Sequence, residues 1–239
     1  MKPTLLFLSL LAASFAAHAV DGVILIDHNK ALAGNVTPGD APGYPVSISR
    51  SGSYRLSGNL TVADADTGGI LITAPNVTLD LNGFSVLGPV HCIYNGAEVA
   101  CDDTGNGVGI QSSVPGLNEY EGNAISNGVV RGFGHHGVSV GYGTLIDRLR
   151  VIGNGGDGIR GYGAVAITRS LAVYNRLHGI SGNNLNVQSS HAVTNGQHGI
   201  NANANTGYGN NVFSGNLDGD TTSSPAQLGS NLCGTGLCP

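Results

Sequence analysis

The sequence has no tryptophan, a single methionine and only 10% charged residues. Its lysines are Lys2 and Lys30 alone. So little charge, set against 41% hydrophobic residues, excludes the charge-rich, hydrophobe-poor composition of a disordered chain. No Gly-rich phosphate loop ending in Lys-Ser/Thr, no HExxH and no GxSxG is found, which removes the sequence signatures of three common enzyme classes. Beyond the first twenty residues no uninterrupted helical periodicity appears, and no apolar run approaches bilayer length. A helical domain and a membrane-spanning helix are therefore not expected there.

What is present is glycine, 39 of 239 residues, together with Asn, Ser and Thr around regularly spaced Ile, Val and Leu. That mixture suits many short strands joined by tight turns. One signature recurs: His136-Gly137-Val138, Asp157-Gly158-Ile159, His178-Gly179-Ile180 and His198-Gly199-Ile200, with glycines 21, 21 and 20 residues apart. Three further columns keep step: Ile146, Ile167, Val187; Val130, Val151, Ala172, Ala192; and Asn154, Asn175, Asn195. A fixed period near 21 marks stacked structural repeats. The fold expected is all-β, a solenoid of coils of about 21 residues with N- and C-terminal caps.

Residues 1–19 have the form of a secretory signal. Lys2 supplies the charge, Leu5 to Ala17 the short apolar core, and Ala17-His18-Ala19 the small-x-small cleavage site. Export to the extracellular space or periplasm, with cleavage after Ala19, is the expectation. The remaining divisions are residues 20–68 as an N-terminal lead and cap, 69–215 as the coils with a loop excursion at 89–123, and 216–239 as a C-terminal cap. Within these, Val23–Ile26 reads as a first strand, 46–61 as two short strands, and Val114 to Asn123 as a loop. Four cysteines in an exported chain point to disulfides. Locality favours Cys92–Cys101 and Cys233–Cys238 among the three possible connectivities, and neither spacing makes a zinc site.

The runs SGSYRLSGNLTV, PNVTLDLNGFSV, SNGVVRGFGHHGV and NGGDGI resemble exported bacterial right-handed parallel β-helix proteins, the pectate-lyase-like superfamily. The resemblance covers roughly residues 46–215 and lies in the repeat, not in a catalytic motif. It implies three parallel sheets, inward aliphatic stacks and asparagine ladders at the bends. Enzymes of this kind use clustered wall aspartates for calcium, or an Asn-Thr-Asp motif with an Asp pair and Gly-His-Gly. Here the regular coils offer only Asp147 and Asp157, Asn-Thr-Asp is missing, and Gly134-His135-His136-Gly137 is the nearest match. Neither mechanism carries over residue by residue.

Net charge is −5, and loss of Lys2 with the leader makes it −6. Residues 125–200 run against that sign, with Arg131, Arg148, Arg150, Arg160, Arg169 and Arg176 against Asp147 and Asp157, a local +4. An exported protein with an arginine-bearing face can hold an anionic polymer. Arg148 and Arg169 share a column, so their guanidiniums repel unless an anion lies between them. These two with Arg150 are the candidate substrate-binding residues. His136, Asp157, His178 and Arg160 are the candidate catalytic residues for β-elimination on a uronic acid, in which one group neutralises the carboxylate and another takes the C5 proton. The same His/Asp column has a plainer reading, as polar turn residues beside a glycine that needs a permissive backbone. A hydrolase would need a carboxylate pair, and Asp147 with Asp157 is a poor one.

The leading expectation is thus a secreted protein that binds, or cleaves by β-elimination, an acidic polysaccharide on its outer face. The alternatives are a non-catalytic structural or surface-interaction protein, and a metal-dependent enzyme using the His column. The expected partner is a polysaccharide or other extracellular glycan, with no nucleic acid, no membrane after signal cleavage and a monomeric state. No metal site or cofactor is expected, since calcium finds no recognisable ligand set.

Overall fold

The computed structural model describes residues 22–112, 121–222 and 225–238. The leader and most of the Val114 to Asn123 loop lie outside the described residues. The chain winds into a β-solenoid of about eight turns, about 21 residues per coil.

Each coil contributes one strand to each of three parallel ladders. The first sheet starts just after the repeat glycine, pairing Val46 with Ile70, Ile110, Val138, Ile159, Ile180 and Ile200 in succession. The second pairs Tyr54, Leu79, Ile125, Ile146, Ile167, Val187 and Tyr208. The third aligns Leu60, Val86, Val130, Val151, Ala172, Ala192 and Phe213. Every one of these residues is buried, at 2% exposure or less. Strand side chains alternate between faces, so the three-residue strands of the third sheet send one side chain into the core and two to the wall, while those of the first, such as Val46–Ile48 and Ile70–Ile72, bury both end residues. The columns Ile146/Ile167/Val187 and Val130/Val151/Ala172/Ala192 are such inward stacks. The coils already include Val46–Ile48, Gly52–Leu56 and Leu60–Thr61, and they run on through Ala226–Gln227 and Leu232–Cys233.

Buried polar ladders close the corners. Asn154 donates its side-chain amide to Asn175 Oδ1 at 2.8 Å, Asn175 to Asn195 at 3.0 Å, and Asn195 to Asn216 at 2.9 Å. Each of these oxygens also accepts the backbone N–H of the preceding rung. A second ladder, Ser170, Ser190, Asn211 and Asn231, serves the bend between the second and third sheets. The repeat glycine lies over the first ladder. A Cβ on Gly158 would come within 2.6 Å of Asn175 Nδ2, and one on Gly137 within 2.2 Å of Val151 Cγ1. None of the four repeat glycines has positive φ. Lack of room, not a permissive backbone, is what demands glycine there.

The chain is not wholly without helix. Asp27 caps a six-residue helix, His28–Ala33, by accepting from the Lys30 N–H at 2.8 Å. Six residues are too few to show a helical period in sequence. Both disulfides form, Cys92–Cys101 and Cys233–Cys238. The first ties together an antiparallel hairpin, Cys92–Tyr94 with Val99–Cys101, which stands off the coils.

Candidate functional site

The His/Asp column does come together, but as a third ladder. His136 Nδ1 accepts the Asp157 N–H at 3.0 Å, Asp157 Oδ1 accepts the His178 N–H at 3.1 Å, and His178 Nδ1 accepts the His198 N–H at 3.2 Å. Asp157 is fully buried. Its second oxygen takes the Ser181 hydroxyl at 2.6 Å and Arg160 Nη1 at 3.0 Å. An imidazole whose Nδ1 accepts must carry its proton on Nε2 when neutral. His178 Nε2 lies 2.7 Å from Asn201 Nδ2, so an Nε2–H requires the Asn201 carboxamide to be turned over to present Oδ1 as the acceptor.

Burial keeps these rings neutral. Desolvation pulls His136 down to about 4, even though the Asp157 carboxylate 3.6 Å away favours the charged form. Burial also lowers His178 and His135, and the His135 ring centroid lies 3.8 Å from that of His136. The column therefore orders backbone, with Nδ1 engaged on His136 and His178 and both Asp157 oxygens occupied. His198 Nδ1, at the end of the ladder, is buried with no partner. Among the described residues no three His, Cys, Asp or Glu side chains converge to hold a metal ion.

Arg160 belongs to the first sheet. Its guanidinium is held by Asp157 and sits 5.4 Å from the centre of the Tyr162 ring. With His178, Ser181, Asn183 and Asn201 it lines a shallow groove of about 460 Å³. Buried Asp157 compensates the charge of Arg160, so the groove carries no uncompensated cation.

The other candidate arginines lie elsewhere. Arg148 and Arg169 occupy the bend between the second and third sheets, and Arg150 points outward from the third. All three line one recess of about 440 Å³, together with Leu171 and His191. The repulsion expected between Arg148 and Arg169 is met from within. Asp147 takes Arg169 Nη2 at 2.7 Å and Arg148 Nη2 at 3.2 Å. The hydrogen bonds from Arg169 and Thr168 keep the Asp147 carboxyl below the usual carboxylate range. Asn127 Oδ1 accepts from Arg148 Nε at 2.7 Å. Arg148 and Arg169 have φ of 53° and 48°, where the same bend on other coils holds Asn82, Asn127, Ser189 and Asn210. Asparagine adopts this conformation more readily than arginine.

Arg131 extends the same face, since it pairs with Ile152 at the far end of the third sheet. Four of the six arginines of residues 125–200 thus share one side of the solenoid, with Asp147 the one acid of that stretch beside them. Arg160 is on another side, so no single groove contains Arg148, Arg160 and Arg169. The disulfide hairpin walls the Arg131 end, where Tyr94, Arg131 and Tyr174 line a recess of about 430 Å³. His191, Tyr94 and Tyr174 were not singled out in the sequence. His191 is legible afterwards as the rung that follows Leu171.

Compared with known protein families, curated proteins and solved structures, the chain shows no match in any of the three.

Proposed function

We propose that the outer face of the third sheet binds an acidic polysaccharide, as the work of a secreted, pectate-lyase-like β-helix. The observation that carries this reading is the segregation of charge. Arg131, Arg148, Arg150 and Arg169 share a face, and Asp147 is spent on pinning two of them. A guanidinium offers its donors in a fork that matches a carboxylate or a sulfate, and pre-orientation by Asp147 lowers the entropy lost on binding. Arg150 has no ion-pair or hydrogen-bond partner among the described residues and stands free for the ligand. Strands stacked about 4.8 Å apart set the Arg148 and Arg169 donors side by side on adjacent rungs.

Binding without cleavage is the preferred form. The histidines first considered as bases have Nδ1 committed to backbone, and they lie on a different side from the arginine recess. A second reading rests on His191, the one imidazole lining that recess. In it an arginine neutralises the uronate carboxylate, His191 takes the C5 proton, the C4=C5 double bond forms as the C4–O bond breaks, and the departing oxygen takes a proton from water.

Electrophoresis through gels containing polygalacturonate, a sulfated glycan or a neutral glucan tests both. Retardation by the acidic polymers alone, relieved by salt, is the expected result. Equal mobility in every gel would sink the proposal. Release of unsaturated ends that stops in His191→Ala would replace binding with cleavage.

A further inference from the structure

We propose that Tyr94, Tyr174 and Arg131 form a subsite for a single hexuronate ring, stacked on tyrosine with its carboxylate on Arg131. The inference rests on the reading of the third-sheet face as a glycan-binding surface, and adds to it the group that recognises a sugar rather than a charge.

Three observations converge. The first is backbone strain at Tyr174, whose φ is 57°. The equivalent corner of neighbouring coils holds Gly132, Gly153, Thr194 and Gly215, all with positive φ. Glycine takes that conformation freely, whereas a bulky aromatic side chain costs stability there. Such cost is typical of positions kept for function.

The second is exposure. Tyr174 is 41% exposed, and Tyr94, on the hairpin opposite, is 42% exposed. Tyr94 is held in place from both sides. Its hydroxyl donates to Gly96 O at 2.9 Å, and the Cys92–Cys101 disulfide fixes the base of the hairpin. The hairpin base rests against Gly153, where even a Cβ would meet Cys92 O at 3.6 Å and Cys92 Cβ at 3.8 Å, ordinary contact distances. Two tyrosines thus wall one recess, floored by Val90, Ile152 and Gly153. Tyrosine combines an apolar ring face, which suits the C–H face of a pyranose, with a polar rim.

The third is charge. Arg131 lines the recess and has no ion-pair or hydrogen-bond partner among the described residues. The acids of the hairpin are engaged elsewhere: Glu98 receives the Asn95 amide, and Asp102 pairs with His91. Neither lines the recess. The subsite also continues the arginine recess, for Arg150 and Ile152 lie two residues apart on one strand, about 7 Å. A glycan running along the strand passes from one recess into the next.

Titration calorimetry with oligogalacturonate, and with inorganic polyphosphate as a charge-only probe, separates this subsite from the charged face. Tyr174→Gly suits the corner conformation, so it folds, which its melting curve checks. Both Tyr174→Gly and Tyr94→Ala are expected to weaken oligogalacturonate about tenfold, the scale of one lost stacking contact, and to leave polyphosphate unchanged. Arg131→Ala weakens both ligands. Wild-type affinity for oligogalacturonate in the tyrosine variants, alongside its loss in Arg150→Ala, would remove the subsite and leave the charged face standing. Equal losses for both probes in the tyrosine variants would also overturn it. Failure of the wild-type protein to bind either probe would remove the face and the subsite together.

Discussion

Replacing Asn175 by alanine tests the ladder that aligns the coils. Asn175 is fully buried, and its side chain serves four partners. Its oxygen accepts the Asn154 N–H at 3.2 Å and the Asn154 amide at 2.8 Å. Its own amide donates to Asn195 Oδ1 at 3.0 Å and to Val151 O at 3.3 Å. Alanine leaves both Asn154 donors without an acceptor. Asn195 Oδ1 keeps the Asn175 N–H at 3.1 Å and is less affected. Each buried orphan costs about 1–3 kcal/mol, so the two together predict a loss of about 2–6 kcal/mol. A domain stable by about 5–15 kcal/mol would be left marginal. Urea unfolding followed by far-UV circular dichroism reads this directly. Asn183→Ala, on the exposed wall, is the control and should fall within about 0.5 kcal/mol of wild type. A loss below about 1 kcal/mol for Asn175→Ala, at unchanged urea dependence, would refute the ladder as a source of stability.

Four further outcomes follow from the same geometry. Ile167→Asp buries an unpaired charge in the second-sheet stack and should abolish folding, seen as loss of soluble, cooperatively melting protein. Acid should destabilise the protein through His136. Its folded pKa is depressed from 6.5 to about 4 by burial, so the unfolded chain binds the extra proton first. The stability it contributes is whole above pH 6.5 and is lost as pH falls towards 4, by about 3 kcal/mol in all, and His136→Gln should flatten that slope in a pH series of urea melts. Asp147→Asn frees Arg148 and Arg169 from their shared carboxylate. Affinity for polygalacturonate should fall, because the arginines lose their pre-orientation, while stability moves by no more than about 1 kcal/mol because the pair is exposed; binding at or above the wild-type level would mean that Asp147 only masks these arginines. Arg150→Ala should weaken polymer binding severalfold and flatten its salt dependence in affinity gels, with no change in melting.

The coil was legible because stacked rungs repeat their chemistry at a fixed step. Ile146, Ile167 and Val187 proclaim one inward column, and Asn154, Asn175 and Asn195 one ladder, without any knowledge of the bends. The even cysteine count and short loops led to both disulfides. The side of the solenoid each column faces was less legible. Arg148 and Arg160 are twelve residues apart, over half a coil, and so belong to different walls. The period relates residues between rungs, and only the bend geometry says how a rung folds on itself. The Ser170, Ser190, Asn211, Asn231 ladder keeps the 20- and 21-residue step, but changes residue type midway, so residue identity does not mark it as one column. The His/Asp column looked like chemistry because its residue types suit catalysis. Its role came from which ring nitrogen meets which backbone N–H, a matter of side-chain rotation that spacing does not encode. Tyr174 was invisible for a related reason: its left-handed backbone appears only once the glycines of its column are aligned with it.

The claim that one face holds the ligand, and that the histidine column only orders backbone, is tested most directly by comparing two sets of variants on one polymer. Binding of polygalacturonate would be measured by calorimetry across a series of salt concentrations. The protein lacking Arg148, Arg150 and Arg169, each replaced by alanine, should lose most of its affinity and of its salt dependence. Arg160→Ala and His178→Ala, on the other wall, should bind as wild type whatever they cost in stability. Wild-type binding by the triple variant, or loss of binding in Arg160→Ala alone, would contradict the account and return the site to the first sheet.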